Sequence, residues 1–396
     1  MTERRKVLLV ISSLSPGGAE NHLLNLCRYL GSVSCIPAVL TISGKRTPIR
    51  NLLEGEGVEV IDFPLDSLAG LLLPWKLASL RRVVARARPD VIHAHLHHGE
   101  VVASIASVLT GVPMVATRHS YGLEFGGARK WMARILGHRT SRVIAVSAEA
   151  ALEAARLGIP EGRIETIPNG VDTERFRPLE PARRRALREA FTMRHFGAPP
   201  GRDCTLIGTL GGLKKVKNLP VFIRMIPVLK AGWKDGAPPA RFVISGDGPE
   251  RGELEDLARR LGLEAEIAMP GFVGDPENLL PLLDIFVLPS ITEGAPMALL
   301  EAMACGLACV ASGVGAIPSI LGGDGRDGGD PGAAGIVVDS RDPEEFAAAV
   351  LRLAAGEPQR PAFGERARSR AVSNFGLPAW GRRTLDVYEK ATGLKF

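Results

Sequence analysis

Apolar runs of strand length alternate with longer helical patterns through both halves of this chain, and few folds besides helix-covered parallel sheets accommodate that alternation. The first half predicts strands at residues 6–12, 36–42, 58–63, 90–94, 112–117, 142–146 and 163–167. The second predicts them at 205–210, 241–245, 266–269, 284–288, 307–311 and 335–338. The fold class is therefore α/β, with two Rossmann-like, doubly wound parallel-sheet domains. Residues 178–202 lack strand periodicity and carry proline and glycine, so a linker is expected there, between domains at 1–177 and 203–377. The closing stretch, 378–396, has a helical pattern containing Trp380, Leu385, Val387 and Tyr388.

The chain has 396 residues, 45% of them hydrophobic, which is enough for about two to three domains with real cores. Its longest apolar stretches, such as 68–73, fall short of the roughly 20 residues a membrane helix needs. The apolar run 7–11 is also too short for a secretion signal and reads as a buried first strand. Five cysteines (Cys27, Cys35, Cys204, Cys305 and Cys309) form no C-x-x-C pair; they read as reduced core residues of a cytoplasmic protein.

The net charge of +6 is lodged in residues 1–177, which hold 22 Lys and Arg against 16 Asp and Glu. Two stretches concentrate it: Lys76, Arg81, Arg82, Arg86 and Arg88, and then Arg129, Lys130, Arg134, Arg139 and Arg142 around Trp131. A solvated helix face explains them at least as well as function does. The functional alternative is peripheral docking on an anionic membrane surface, or an acceptor carried on a lipid phosphate. Nothing interleaves aromatics with base-reading side chains, so nucleic acid is not an expected partner.

Open parallel sheets bind ligands beyond the carboxyl ends of their strands. After the strand at 284–288 comes SITEGAPMALLEAMACG, residues 290–306. Pro296 suits a helix start and Gly306 a helix end, which puts Glu293 on the loop and Glu301 inside an apolar helix. The N–H groups of Gly294, Ala295, Met297 and Ala298 can face an anion at the positive end of that helix, while the glutamates accept hydrogen bonds from hydroxyls. A phosphate joined to a sugar fits both. A structural ion pair is the bland reading of a single such glutamate.

The segment resembles the E-x7-E motif of family 4 of the retaining glycosyltransferases, nucleotide-sugar enzymes of the GT-B fold. The likeness continues through GLACVASGVGAIP, residues 306–318. It implies two Rossmann-like domains facing a cleft, an N-terminal acceptor domain, a C-terminal donor domain, and a last helix returning to the first. It further implies that Glu293 contacts the donor sugar and Glu301 the ribose. Gly17 and Gly18, in the turn after the first strand, look like the family's glycine loop over the donor. His119, in Thr117-Arg118-His119, stands where the family places a histidine near the donor sugar.

His93, His95, His97 and His98 invite a metal reading, but no carboxylate or cysteine stands at ligand spacing. No metal is expected, and His95 is the member expected to touch ligand. Asn169-Gly170-Val171-Asp172 reads as a turn in which Gly170 takes positive φ, although it also resembles a family segment. The family follows its second-domain glycine with Arg and then Lys to neutralise the diphosphate without a metal. Here Lys217 matches the lysine, and Gly212 stands where the arginine is expected, with Lys214 and Lys215 nearby. Ser319 replaces a common family glutamate. Main-chain groups at Val273, after Gly271-Phe272, match the family's site for the nucleotide base.

The resemblance implies a retaining, metal-independent hexosyltransferase. It would move sugar from a UDP- or GDP-hexose to a hydroxyl of a glycan or lipid-linked acceptor, with catalytic residues Glu293, His119 and Lys217 and no cofactor. The missing arginine leaves a noncatalytic nucleotide-sugar-binding protein as the alternative, and a nucleotide-sugar epimerase as a more distant one.

Overall fold

The computed structural model describes residues 4–119, 140–197, 204–234, 237–322, 332–355 and 359–396. Arg129, Lys130, Trp131, Arg134 and Arg139 of the second basic stretch lie outside the described residues. The chain divides into two compact units, one of residues 1–170 with 377–396 and the other of 171–376.

Among the described residues, the first unit holds seven parallel strands: β1 (Lys6–Ile11), β2 (Ile36–Thr41), β3 (Glu59–Asp62), β4 (Val91–His95), β5 (Met114–Arg118), β6 (Arg142–Ala145) and β7 (Ile164–Thr166). Their order is β3-β2-β1-β4-β5-β6-β7. The second unit holds β8 (Thr205–Leu210), β9 (Ala240–Ser245), β10 (Ile267–Gly271), β11 (Ile285–Leu288), β12 (Ala308–Ser312) and β13 (Gly335–Val338), in the order β10-β9-β8-β11-β12-β13. Every strand matches a sequence expectation. Both orders reverse direction once, between β1 and β4 and between β8 and β11. Doubly wound sheets place ligand crevices at such reversals, outside the strand carboxyl ends.

Alternation along β1 shows how the sheet is buried on both faces. Val7, Leu9 and Ile11 join a cluster with Leu23, Leu26, Trp380, Leu385, Val387 and Tyr388. Leu8 and Val10 join Leu80, Val84, Val102 and Met114 on the other side. The closing helix, Leu377–Thr392, therefore belongs to the core of the first unit. All five cysteines are free and buried.

The expected linker at 178–202 gives way to a helix, Pro181–Phe196, within the second unit. Arg184 and Arg188 of this helix bind Asp284 at 2.9 and 2.7 Å, and Asp284 also accepts the Leu206 N–H at 2.8 Å. Burial alone would raise the Asp284 pKa, but these donors hold it below the usual carboxylate range. The polar, arginine-rich composition that obscured the helix in sequence is what anchors it.

Gly170 is a second correction. Its φ is not positive; instead, a Cβ there would lie 2.4 Å from the Trp380 ring. Glycine is required by the close approach of the closing helix, not by turn geometry.

Candidate active site

At the β8/β11 reversal the chain brings two loops together. After β8, Gly211 takes a φ of +152° and a short turn, Lys215–Lys217, leads to Asn218 in left-handed conformation. After β11 comes the Ser290 to Glu293 loop, and the Ile291 N–H donates to the Val216 carbonyl at 2.8 Å. That backbone bond sets the two side chains face to face. Lys217 Nζ lies 2.6 Å from Glu293 Oε1, and the Ser290 hydroxyl donates to the same oxygen at 2.7 Å. Both partners are largely covered, with side-chain exposures of 21% and 12%.

After this loop the helix Met297–Ala304 starts from Pro296 in extended conformation, with no side chain capping its first turn. Gly294 accepts the Ala316 N–H at 2.8 Å, and Gly294, Ala295 and Met297 are buried. Gly315 has a φ of +58°, and a Cβ on it would fall 1.9 Å from the Glu293 carbonyl oxygen. Glu301 sits on the helix with 6% exposure, and burial pushes its pKa up to about 7; Arg175 opposes the rise and Glu277 adds to it. Gly306 ends the helix with a φ of +77°, as expected for the residue after the cap.

Gly212 is filled from a neighbouring position. The Lys214 Cε lies 3.6 Å from where a Gly212 Cβ would stand, so an ammonium stem occupies the space beside that glycine. The turn at 246–248 packs on the same backbone: Gly248 could carry no Cβ without reaching 2.4 Å from the Leu213 carbonyl. Val273 follows the end of β10 by two residues, half-buried, next in sequence to Phe272, which is 62% exposed. The structure thus groups Lys217, Glu293, Gly294, Ala295, Met297 and Glu301 along adjoining segments of the second unit, and sets Val273 at a separate strand end.

The first unit carries a different chemistry at its own reversal. Gly17 caps the helix Gly18–Ser32 in extended conformation, and a Cβ there would meet the Glu20 carboxylate at 2.5 Å. His95 ends β4 and His119 follows β5; His95 Nδ1 and His119 Nε2 are 3.0 Å apart. His22 joins them from the helix, with ring centroids 5.5 Å from His95 and 4.8 Å from His119. Its Nδ1 is 2.8 Å from Asn169 Oδ1. His93 bonds the Tyr388 hydroxyl and Thr117 Oγ1, each at 2.7 Å, tying the closing helix to the sheet.

Burial lowers the pKa of all four imidazoles; for His22 it falls to about 4, against an opposing effect of the Asn169 bond. His95 has no exposed surface, whereas His119 is partly exposed. Sequence reasoning missed His22, whose helical position gives no hint of the strand ends it meets. It also missed Ser290, although that residue opens the motif segment, and Gly315, whose signal was the glycine pair in GVGA.

Comparison with known proteins agrees with this geometry. Residues 16–175 match the model for Glycosyltransferase Family 4, and residues 204–355 match the model for glycosyl transferases group 1. The chain belongs to the family 4 glycosyltransferases; it is a hexosyltransferase with two Rossmann-like domains of the GT-B type.

Among relatives, it is 29% identical to D-inositol 3-phosphate glycosyltransferase 2 of Catenulispora acidiphila, over 95% of this chain and 90% of that one. It is 28% identical to the UDP-Gal:alpha-D-GlcNAc-diphosphoundecaprenol alpha-1,3-galactosyltransferase of Escherichia coli, over 67% and 71%. Among solved structures it resembles Anabaena Alr3699/HepE in complex with UDP-glucose, with a TM-score of 0.80, 22% identity, and coverage of 98% and 100%.

Proposed function

We propose that this protein transfers a hexose from a UDP- or GDP-sugar to a hydroxyl of a glycan or lipid-linked acceptor, keeping the anomeric configuration and using no metal. The observation that carries the proposal is the Lys217–Glu293 pair at the β8/β11 reversal, above an uncapped helix start. Without ligand the two charges neutralise each other. A diphosphate offers Lys217 a stronger partner, and the first-turn amides of the helix add fixed positive potential. Glu293 is then released to accept hydrogen bonds from sugar hydroxyls, with Ser290 holding its carboxylate in place.

In the reaction the acceptor oxygen bonds to the anomeric carbon as that carbon's bond to the diphosphate breaks. The acceptor proton passes to the departing phosphate oxygen on the same face, which gives retention. Negative charge grows on the leaving group, where Lys217 and Lys214 stand in for the arginine absent at position 212. Glu301 is assigned to the ribose hydroxyls, and main-chain groups at Val273 to the base. In the first unit, Gly17 and Gly18 are assigned to donor phosphate and His119 to the sugar.

The lipid-linked class of acceptor is supported by the named activity of the E. coli relative and by a surface on the first unit. Leu72 and Trp75 are 66% and 63% exposed, and Arg81, Arg82, Arg86 and Arg88 are exposed along and just beyond the helix Pro74–Ala87. Apolar anchors beside arginines suit an anionic membrane face, in keeping with a peripheral cytoplasmic location. No helix among the described residues is long and apolar enough to cross a membrane.

The test is nucleotide release from a panel of UDP- and GDP-sugars with membrane glycolipids as acceptors, with and without EDTA. Acceptor-dependent, EDTA-resistant release that falls about 100-fold or more in Glu293→Ala supports the proposal. Binding without release under any acceptor, or release that needs no acceptor, overturns it.

A further inference from the structure

We propose that His22, His95 and His119 form a three-imidazole site for a divalent transition-metal ion, with Zn2+ the best fit, and that its occupancy inhibits the enzyme. One ligating nitrogen from each ring falls within 4.8 Å of the others. A tetrahedral ion with Zn–N bonds of about 2.0–2.1 Å holds its imidazole ring centres roughly 5.2 Å apart. Here the three centroid separations are 5.5, 4.8 and 5.4 Å. The ring centres are thus spaced as in a metal site, while the ligating nitrogens, within 4.8 Å of one another, close in to about 3.3 Å on binding the ion.

Two further observations point to a ligand. His95 is fully buried with its Nδ1 3.0 Å from His119 Nε2, so two candidate ligand nitrogens already face each other, and its Nε2 has no hydrogen-bond partner among the described residues, which costs free energy. His22 Nδ1 is engaged by Asn169 Oδ1, the kind of outer-shell acceptor that fixes the tautomer of a ligating histidine and leaves Nε2 with its lone pair outward. The donor set is all nitrogen. That selects Zn2+, Ni2+, Co2+ or Cu2+ over Mg2+ and Ca2+, which prefer oxygen.

Three protein ligands leave a fourth position for water, as in open zinc sites. The inhibitory part of the proposal rests on the transferase reading, in which His119 serves the sugar. A metal on His119 removes that contact and breaks the His95–His119 hydrogen bond.

The test separates binding from activity. Purified full-length protein, treated with chelator, is titrated with Zn2+ by calorimetry and with Co2+ by visible absorption. The expected result is one ion per chain, a Co2+ spectrum of tetrahedral intensity, and at least about 10-fold weaker Zn2+ binding in both His22→Gln and Asn169→Ala. His98→Ala, at an exposed histidine outside the cluster, binds as wild type does. Thermal melts of each variant show whether it is folded; should His22→Gln fail to fold, the Asn169→Ala variant and the Co2+ spectrum decide.

Absence of stoichiometric binding, or binding unchanged in the folded variants, overturns the site. Binding that leaves nucleotide release unaffected keeps the site and overturns the inhibition. Loss of the transferase reading itself leaves the spectroscopic result intact.

Discussion

Glu301 shows how one buried charge couples function to stability. Its pKa of about 7 in the folded chain lies above the ordinary 4.5, so between those pH values the folded protein keeps a proton that the unfolded chain has released. Stability therefore falls as pH rises through that window, and the loss is complete above about pH 7. The shift corresponds to roughly 3 kcal/mol at most. Glu301→Gln, which keeps the protonated shape, is expected to match wild type in urea unfolding at about pH 4 and to exceed it by up to about 3 kcal/mol at about pH 8. Equal stability at both pH values contradicts the buried environment. Such a carboxylate is tolerable where a ligand hydroxyl or a proton satisfies it. The apolar neighbours of Glu301 announce its burial in the sequence; the near presence of Arg175 and Glu277 does not appear there, because they are distant along the chain.

The loops at the strand ends, more than the strands, determine what the second unit can bind. The strands were legible because buried parallel strands leave continuous apolar runs. The loop geometry was legible only where glycine marked it, and then only partly. Gly170 was read as a turn glycine, yet it is there for the Trp380 ring. Gly315 carried no assigned role, yet it combines left-handed backbone with close approach to the Glu293 carbonyl.

Gly315→Ala is expected to cost about 1–3 kcal/mol of stability and to weaken nucleotide-sugar binding by moving the Glu293 loop. Urea unfolding and donor titration measure the two effects. A variant with wild-type stability and affinity would mean that the loop does not depend on that contact. The helix at Pro181–Phe196 was hidden for the opposite reason: only Thr192 in it is fully buried, so it shows no apolar stripe of the usual kind, and its hold on the unit comes from arginines on Asp284.

At the scale of the whole chain, two sheets of the same winding carry unlike chemistry at their reversals: imidazoles in the first unit, and an ammonium–carboxylate pair over a helix start in the second. The division into units is not contiguous in sequence, since the last twenty residues return to the core of the first. The sequence pattern shows a closing helix, and its place in the first core was expected from family likeness alone. In the proposed donor complex, Lys217 holds the diphosphate while Glu293 holds the sugar.

Calorimetric titration of free nucleotide and the matching nucleotide sugar into wild type, Lys217→Ala and Glu293→Ala tests this most directly. Lys217→Ala is predicted to weaken both ligands by about 10–100-fold, the value of one charge-assisted contact. Glu293→Ala is predicted to weaken the nucleotide sugar while leaving the free nucleotide unchanged or tighter, because Lys217 is freed from its 2.6 Å partner. If instead both variants weaken the two ligands equally, or neither variant changes binding, the division of labour between these residues is contradicted.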